Sequence, residues 1–289
     1  MKFAVVGGDK RFVRLASLLA ADGHETACFA LDEVPADEMK SCELSVYTAV
    51  QSADCVILPL PVLNLRGGFN APLSAFSFDA EEILREITKS SVVCGGMPGD
   101  KILKAAEKLG LDFVDYYERE ELVALNALAT AEGAIAILLR NSPITIWESR
   151  ILIVGFGRIG KMLAERLRAL GAHVAVSARK DGDMAYIRAM GCEALDTRTL
   201  GKELGRFDTI INTVPFRVLG KDRLMLISKR ALLIDLASRP GGIDFEAARE
   251  LDINTIWALG LPAETAPETA GKIIEETILN IMREKRGGI

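Results

Sequence analysis

Short apolar, β-branched runs alternate with stretches of helical spacing along nearly the whole chain. Residues 3–6, 55–58, 91–94 and 113–115 in the first half, and 151–154, 173–177, 209–212, 232–235 and 255–257 in the second, are strand-length runs closed by turn residues. Helical spacing falls between them near 81–88, 100–109, 161–170, 185–190 and 221–227, and that alternation predicts mostly parallel sheets covered on both faces. Residues 121–140 read as one long helix ended by Asn141-Ser142-Pro143. The expected fold class is therefore α/β: two Rossmann-like or flavodoxin-like doubly wound domains, 1–140 and 141–268, joined by that helix. A last helix from 269 carries Ile273, Ile274, Ile278, Ile281 and Met282 on one face, which spacing assigns to a domain surface without saying which domain.

The two halves open on the same plan. Sliding one over the other aligns Gly7 with Gly155, Leu15 with Leu163 and Gly23 with Gly171. The second copy is complete: strand 151–154 runs into Gly155-Phe156-Gly157-Arg158-Ile159-Gly160 and then a helix, the fingerprint for gripping a dinucleotide. Gly155 permits the tight turn, Gly157 lets backbone N–H groups approach a pyrophosphate, and Gly160 lets the helix lie close on its strand. In the first copy Asp9 stands where Gly157 does and Phe12 where Gly160 does, so that half is not expected to hold a dinucleotide in the usual way.

The strand after the complete fingerprint bears on which dinucleotide. A site for NAD ordinarily ends it in a carboxylate that accepts from the ribose hydroxyls, whereas this chain reads Ser177-Ala178-Arg179-Lys180. Arg179 can fork onto a 2′-phosphate and Ser177 can donate a hydroxyl, which favours NADP(H) over NAD(H). The alternative is that Arg179 and Lys180 are a solvated turn.

Composition narrows the class. The 289 residues are 49% hydrophobic and 26% charged, as in a soluble globular protein, and a net charge of -5 without a basic stripe argues against nucleic acid. Five scattered cysteines, never in a C-x-x-C pair, indicate neither a disulfide framework nor a metal site, and with no signal-like N-terminus a cytoplasmic location is expected. Residues 122–139 are apolar enough to resemble a membrane span, but Asn126 and Glu132 interrupt them, and a buried helix is the expected reading.

The motifs resemble known families. Gly155 to Lys161, Leu170 to Val174, Thr130-Ala131-Glu132-Gly133-Ala134-Ile135 and Leu138 to Asn141 resemble the D-2-hydroxyacid dehydrogenase superfamily over roughly the last 160 residues. Across its length the chain resembles the dipicolinate synthase A-subunit family, through Val6 to Arg11, the same Thr130 segment, Asp235 to Gly242, Gly260-Leu261-Pro262, Thr265-Ala266-Pro267 and Thr269-Ala270-Gly271. That resemblance implies NADP-linked oxidation of dihydrodipicolinate to dipicolinate in the mother cell of a spore-forming bacterium, in partnership with a flavoprotein-like B subunit. It also implies that the last helix, 269–289, crosses back to complete the N-terminal domain. A homo-oligomer is expected as well.

Departures from the dehydrogenase pattern matter as much. Such enzymes take the alcohol proton with a positioned histidine; this chain has only His24 and His173, each following a glycine or alanine at a strand entry, where a solvated or packed ring is the plain reading. Oxidising a dihydropyridine asks for less, because the aromatic product supplies the driving force and the protein mainly orients the reactants. Two substrate carboxylates call for cations: Arg11 and Arg239, with Ser238 beside it, are the candidates, and Arg66 a third. Arg11 could equally pair with Asp9. Asp235 reads as a buried turn-former, Thr213-Val214-Pro215 as cofactor-lining backbone, and Glu132 as either a packing partner or a site residue. A cofactor-binding scaffold without turnover of its own, and a dehydrogenase of another small keto, hydroxy or amino acid, remain as alternatives.

Overall fold

A computed structural model of the chain describes residues 1–34 and 42–287. Residues 288 and 289, the end of the expected last helix, lie outside the described residues. The chain forms two compact units, Met1–Asn126 with Ala266–Ile289, and Ala127–Thr265. The division falls inside the long helix, earlier than the 140/141 boundary drawn from the sequence.

The first unit is built from β1 (Lys2–Val6), α1 (Lys10–Ala21), β2 (Glu25–Phe29), α2 (Val46–Val50), β3 (Cys55–Ile57), α3 (Ala80–Glu86), β4 (Val92–Gly95), α4 (Gly99–Leu109) and β5 (Asp112–Asp115). All its strands are parallel in the order β2-β1-β3-β4-β5. The chain reverses its direction of travel across the sheet between β1 and β3, the switch point beside which open α/β sheets place ligands. Phe3 and Val5 face one layer, with Phe12, Leu15, Leu19 and the last helix, while Ala4 and Val6 face the other, the alternation a two-sided buried strand requires.

In the second unit, after α5 (Glu120–Asn141), come β6 (Arg150–Val154), α6 (Arg158–Ala169), β7 (His173–Ala178), α7 (Asp181–Ala189), β8 (Glu193–Asp196), β9 (Thr209–Asn212), α8 (Lys221–Leu224), β10 (Leu232–Asp235), α9 (Phe245–Glu250), β11 (Thr255–Trp257) and α10 (Leu261–Thr265); α11 (Pro267–Lys285) follows in the first unit. The sheet is parallel in the order β11-β10-β9-β6-β7-β8, with its switch point between β6 and β9. The long apolar helix α5 has the length and hydropathy of a membrane span, yet its Leu122 is buried in the core of the first unit and its Ala131, Ala134 and Leu138 in that of the second. It is a core helix of both.

Helix α11 returns to α1 because Gly271 lets the backbones meet: a Cβ there would come within 2.6 Å of the Arg11 carbonyl oxygen and 2.8 Å of Arg14 Cβ. Ion pairs tie its end down, Arg119 with Glu284 at 2.6 Å and Lys285 with Asp112 at 2.7 Å. One group on it is unfavourable. Glu275 is buried with Oε1 unpartnered, and burial, with Asp22 and Glu276 adding to it, pushes its carboxyl above the usual range. A folded-state pKa raised above the unfolded one means that stability is lost as the pH rises through it and recovered as the pH falls. Glu275→Gln is expected to stabilise the protein by about 1 kcal/mol at neutral pH. The gain should shrink as urea midpoints are measured at progressively lower pH; a gain that grows with acidity would contradict burial of the charged carboxylate as its cause.

Candidate functional site

The second unit gathers its candidate residues at the C-terminal ends of β6, β9 and β10, neighbours in the sheet. At the end of β6 the chain turns through Gly155 at φ +106°, a region only glycine enters freely. A Cβ on Gly155 would lie 2.5 Å from Thr213 Oγ1 and 2.7 Å from Val214 Cγ2, so the turn packs directly on the loop after β9. Thr213 fastens that loop, its hydroxyl donating to the Val154 carbonyl at 2.9 Å across the switch point. Gly160 lies on the turn itself, where a Cβ would strike the Gly155 carbonyl oxygen. Gly157 is different: it precedes α6 with no side-chain cap, and a Cβ on it would meet nothing within 4 Å.

An uncapped helix start facing open space, held by two glycines that tolerate no side chain, fits the pyrophosphate of a dinucleotide. Phe156 is half-buried, beside Tyr186 at 6.5 Å and under Lys161 at 5.1 Å. Arg158 and Ile159 form the first turn of α6. At the end of β7, Arg179 and Lys180 are exposed and hold no ion pair among the described residues, so both charges are available to an anion. Ser177 is not brought out with them. It is fully buried and its Oγ has no hydrogen-bond partner, so the hydroxyl is enclosed within the unit instead of offered to a phosphate.

The loop after β10 is organised from below by Asp235. Its Oδ1 accepts from Asn212 Nδ2 at 2.7 Å and Ala237 N–H at 3.0 Å, and its Oδ2 from Gly242 N–H at 2.8 Å and Ile243 N–H at 3.2 Å. Asn212 in turn donates to the Val214 carbonyl at 3.0 Å and accepts from the Val214 N–H at 3.3 Å. One buried carboxylate thereby fixes both the Thr213-Val214-Pro215 loop and the Ser238-Arg239 loop. Pro215, Ser238 and Arg239 are exposed on them. The Arg239 guanidinium lies over Trp257, 5.7 Å from the ring centroid, and the indole N–H is held by the Ala237 carbonyl at 3.0 Å. No carboxylate pairs with Arg239 among the described residues, so it presents a positioned, uncompensated cation.

Arg11 in the first unit is placed otherwise. Only 7% exposed, it closes a fork on Asp9, Nε to Oδ1 at 2.9 Å and Nη2 to Oδ2 at 2.8 Å, and Nη2 also donates to the Leu60 carbonyl. Asp9 additionally caps α1 through the Arg11 N–H. The reading of Arg11 as a free substrate clamp is corrected accordingly: the guanidinium is neutralised and ties the loop after β1 to the segment after β3 across the switch point, and among the described residues Nη1 has no hydrogen bond. Arg11→Ala would strand the Asp9 charge in a largely dry site. The expected loss is about 3 kcal/mol of stability, seen as a lower urea midpoint, with Arg11→Lys recovering only part because the fork is bidentate. Unchanged stability in Arg11→Ala would restore the clamp reading.

Other candidates fall outside these clusters. Arg66 sits in a turn held by Asn64 Oδ1, which accepts from its N–H at 2.9 Å. Glu132 is an exposed member of α5, 3.7 Å from Arg166, and so a surface pair. His24 packs against Phe3 at 5.1 Å and His173 is exposed at the N-terminal end of β7. No cluster able to hold a metal ion occurs among the described residues.

A doubly wound sheet with a glycine cradle at its switch point defines a nicotinamide-nucleotide-binding domain of the dehydrogenase type. Residues 130–251 match the family described as D-isomer specific 2-hydroxyacid dehydrogenase, NAD binding domain, and residues 2–117 match the N-terminal domain of the dipicolinate synthase A subunit. The chain is 28% identical to the dipicolinate synthase A subunit of Bacillus subtilis over 98% of its own length and 96% of that protein's. Crystal structures of the dipicolinate synthase A subunits from Bacillus halodurans and from Bacillus subtilis each superpose with a TM-score of 0.88 at 28% identity, the former covering 97% of both chains and the latter 99% of this chain and 97% of its own. Over nearly its whole length the chain is thus similar to dipicolinate synthase A subunits. The fold is shared more widely: the D-lactate dehydrogenase of Escherichia coli superposes with a TM-score of 0.64 at 16% identity, over 100% of this chain and 98% of that one.

Proposed function

We propose that this protein is the A subunit of a dipicolinate synthase that oxidises dihydrodipicolinate to dipicolinate with NADP⁺. The observation that carries the cofactor choice is Arg179, exposed at the end of β7 and without an ion pair among the described residues, where a carboxylate would select NAD. Lys180 adds a second charge, and Ser177 takes no part in this reading because its hydroxyl is enclosed. Gly155, Gly157 and Gly160 with the start of α6 would hold the dinucleotide, which would supply a two-electron hydride acceptor; loss of a hydride and a proton would leave the substrate ring aromatic, so no strong base is required of the protein. Arg239 is the group best presented to a substrate carboxylate, steadied over Trp257 and aimed by the Asp235 network, with Ser238 beside it. Arg11 contributes through Nη1 at most.

The reading extends to partnership with a flavoprotein-like B subunit and to the cytoplasm of a sporulating cell. It also includes self-association, supported by the exposed Leu139, Ile144 and Trp147 in the second unit. The decisive experiment incubates the purified chain, with and without that partner, with dihydrodipicolinate generated in situ and NADP⁺ or NAD⁺, and follows NAD(P)H and dipicolinate. NADPH formed by the chain alone is the expected result. Dipicolinate formed only with the partner, without nicotinamide reduction, would instead make this chain a cofactor-binding scaffold. Arg179→Asp should weaken NADP⁺ about a hundredfold while leaving NAD⁺ within a few-fold, since a charge-assisted fork is replaced by repulsion. Arg239→Ala should raise KM for the dicarboxylate about tenfold or more without altering NADP⁺ affinity.

A further inference from the structure

We infer that the second unit carries a further anion site, for a phosphate-bearing small molecule, at the edge of its sheet opposite the glycine cradle. A cavity of about 430 Å³ opens there, lined by Arg150, Arg168, His173, Glu193, Arg206 and the buried Phe207 among others. Arg150 and His173 begin β6 and β7 and are partners in register, and Glu193 begins β8. A strand rises about 3.3 Å per residue, so this edge lies roughly 17 Å from the Gly155 turn along β6. It is a separate place on the same domain.

Charge is what makes the cavity a site. Arg206 is engaged by Glu193 at 2.6 Å and Glu203 at 3.0 Å, and its guanidinium also lies over Phe207 at 4.8 Å. Arg150 and Arg168 have no carboxylate partner among the described residues, and Asp208 is taken by the backbone N–H of Arg150 at 2.8 Å. The Arg168 guanidinium lies against Gly191, where a Cβ would come within 2.8 Å of Nη2. Two arginines without a carboxylate partner among the described residues thus line one concavity in a chain whose net charge is -5. Guanidinium forks match the oxygens of phosphate, and forks from two elements, β6 and α6, suit a tetrahedral, multiply charged group better than one planar carboxylate. The volume lies in the range of small-molecule sites.

The test uses inorganic pyrophosphate as probe, titrated calorimetrically at about 0.15 M salt so that unstructured surface attraction is screened. The cradle is silenced first with Gly157→Asp, which places a carboxylate where the helix start would bind the same probe. In that background the protein should bind pyrophosphate, and Arg150→Gln with Arg168→Gln should raise Kd at least about tenfold, while Arg150→Lys with Arg168→Lys gives an intermediate value. Both pairs alter exposed side chains, and an unchanged melting temperature confirms that they fold. No binding in the Gly157→Asp background, or equal affinity in the glutamine pair, would overturn the site. Citrate binding as tightly as pyrophosphate would overturn the phosphate class.

Discussion

Replacing Asp235 with leucine is expected to cost about 4 kcal/mol of folding stability, near the upper end for a single substitution. The carboxylate is fully buried and accepts from four donors, the Asn212 side chain and the backbone N–H groups of Ala237, Gly242 and Ile243. Removing the acceptor leaves all four facing an apolar group, and each buried donor without a partner costs about 1–3 kcal/mol, reduced wherever the loop relaxes toward water. Asp235→Asn should retain about half the stability at risk, since one amide oxygen still accepts while the NH₂ group opposes donors on the other side. Urea denaturation with an unchanged slope measures both. The same substitution should loosen the Val214 and Arg239 loops together, so KM for the dicarboxylate and Kd for the nucleotide should rise in parallel. A loss below about 1 kcal/mol would mean that Asp235 is not the organiser of these loops.

The fold was legible in the sequence because both units are built from buried parallel strands, whose continuous apolar runs are the strongest signal a sequence offers. The strands that gave weaker signals lie at sheet edges. β8 (Glu193–Asp196) has one exposed and three half-buried residues, too polar for its pattern to stand out from a loop. The cradle was legible for a related reason: glycine at three spaced positions reports backbone geometry directly, and each of the three is required or left open as that geometry dictates. What sequence could not give is which polar groups consume one another. Arg11 and Asp9 are two residues apart and their pairing could be anticipated, but the Leu60 carbonyl that completes the lock lies 49 positions away, brought near only by the order of β1 and β3 in the sheet. Ser177 fails for a different reason. A serine at the end of a strand points to one face or the other, and period alone does not say which face is open; in this fold it is enclosed. Asn212 was missed altogether because its role is defined by Asp235, a partner on the neighbouring strand.

Gly160→Val is expected to abolish nucleotide binding, raising Kd by more than about a hundredfold, and to cost about 3 kcal/mol of stability. The obstacle is backbone: a Cβ at this position runs into the Gly155 carbonyl oxygen, lies 3.1 Å from the Gly155 carbonyl carbon and 3.6 Å from Ile153 Cγ2. No rotamer change relieves a clash with a carbonyl, so α6 must lift from β6, and the N–H groups of its first turn move away from the place where a pyrophosphate would lie. Gly157→Ala provides the contrast. Its Cβ meets nothing within 4 Å, so the fold and its urea midpoint should be unchanged, while the added methyl stands between the ligand and the helix start and weakens binding about tenfold. Calorimetric titration of NADP⁺ together with urea denaturation of the two variants separates the roles. If Gly157→Ala also lost stability, the open space before α6 would be part of the packing; if it left affinity untouched while Gly160→Val lost it, the nucleotide would approach α6 from another side.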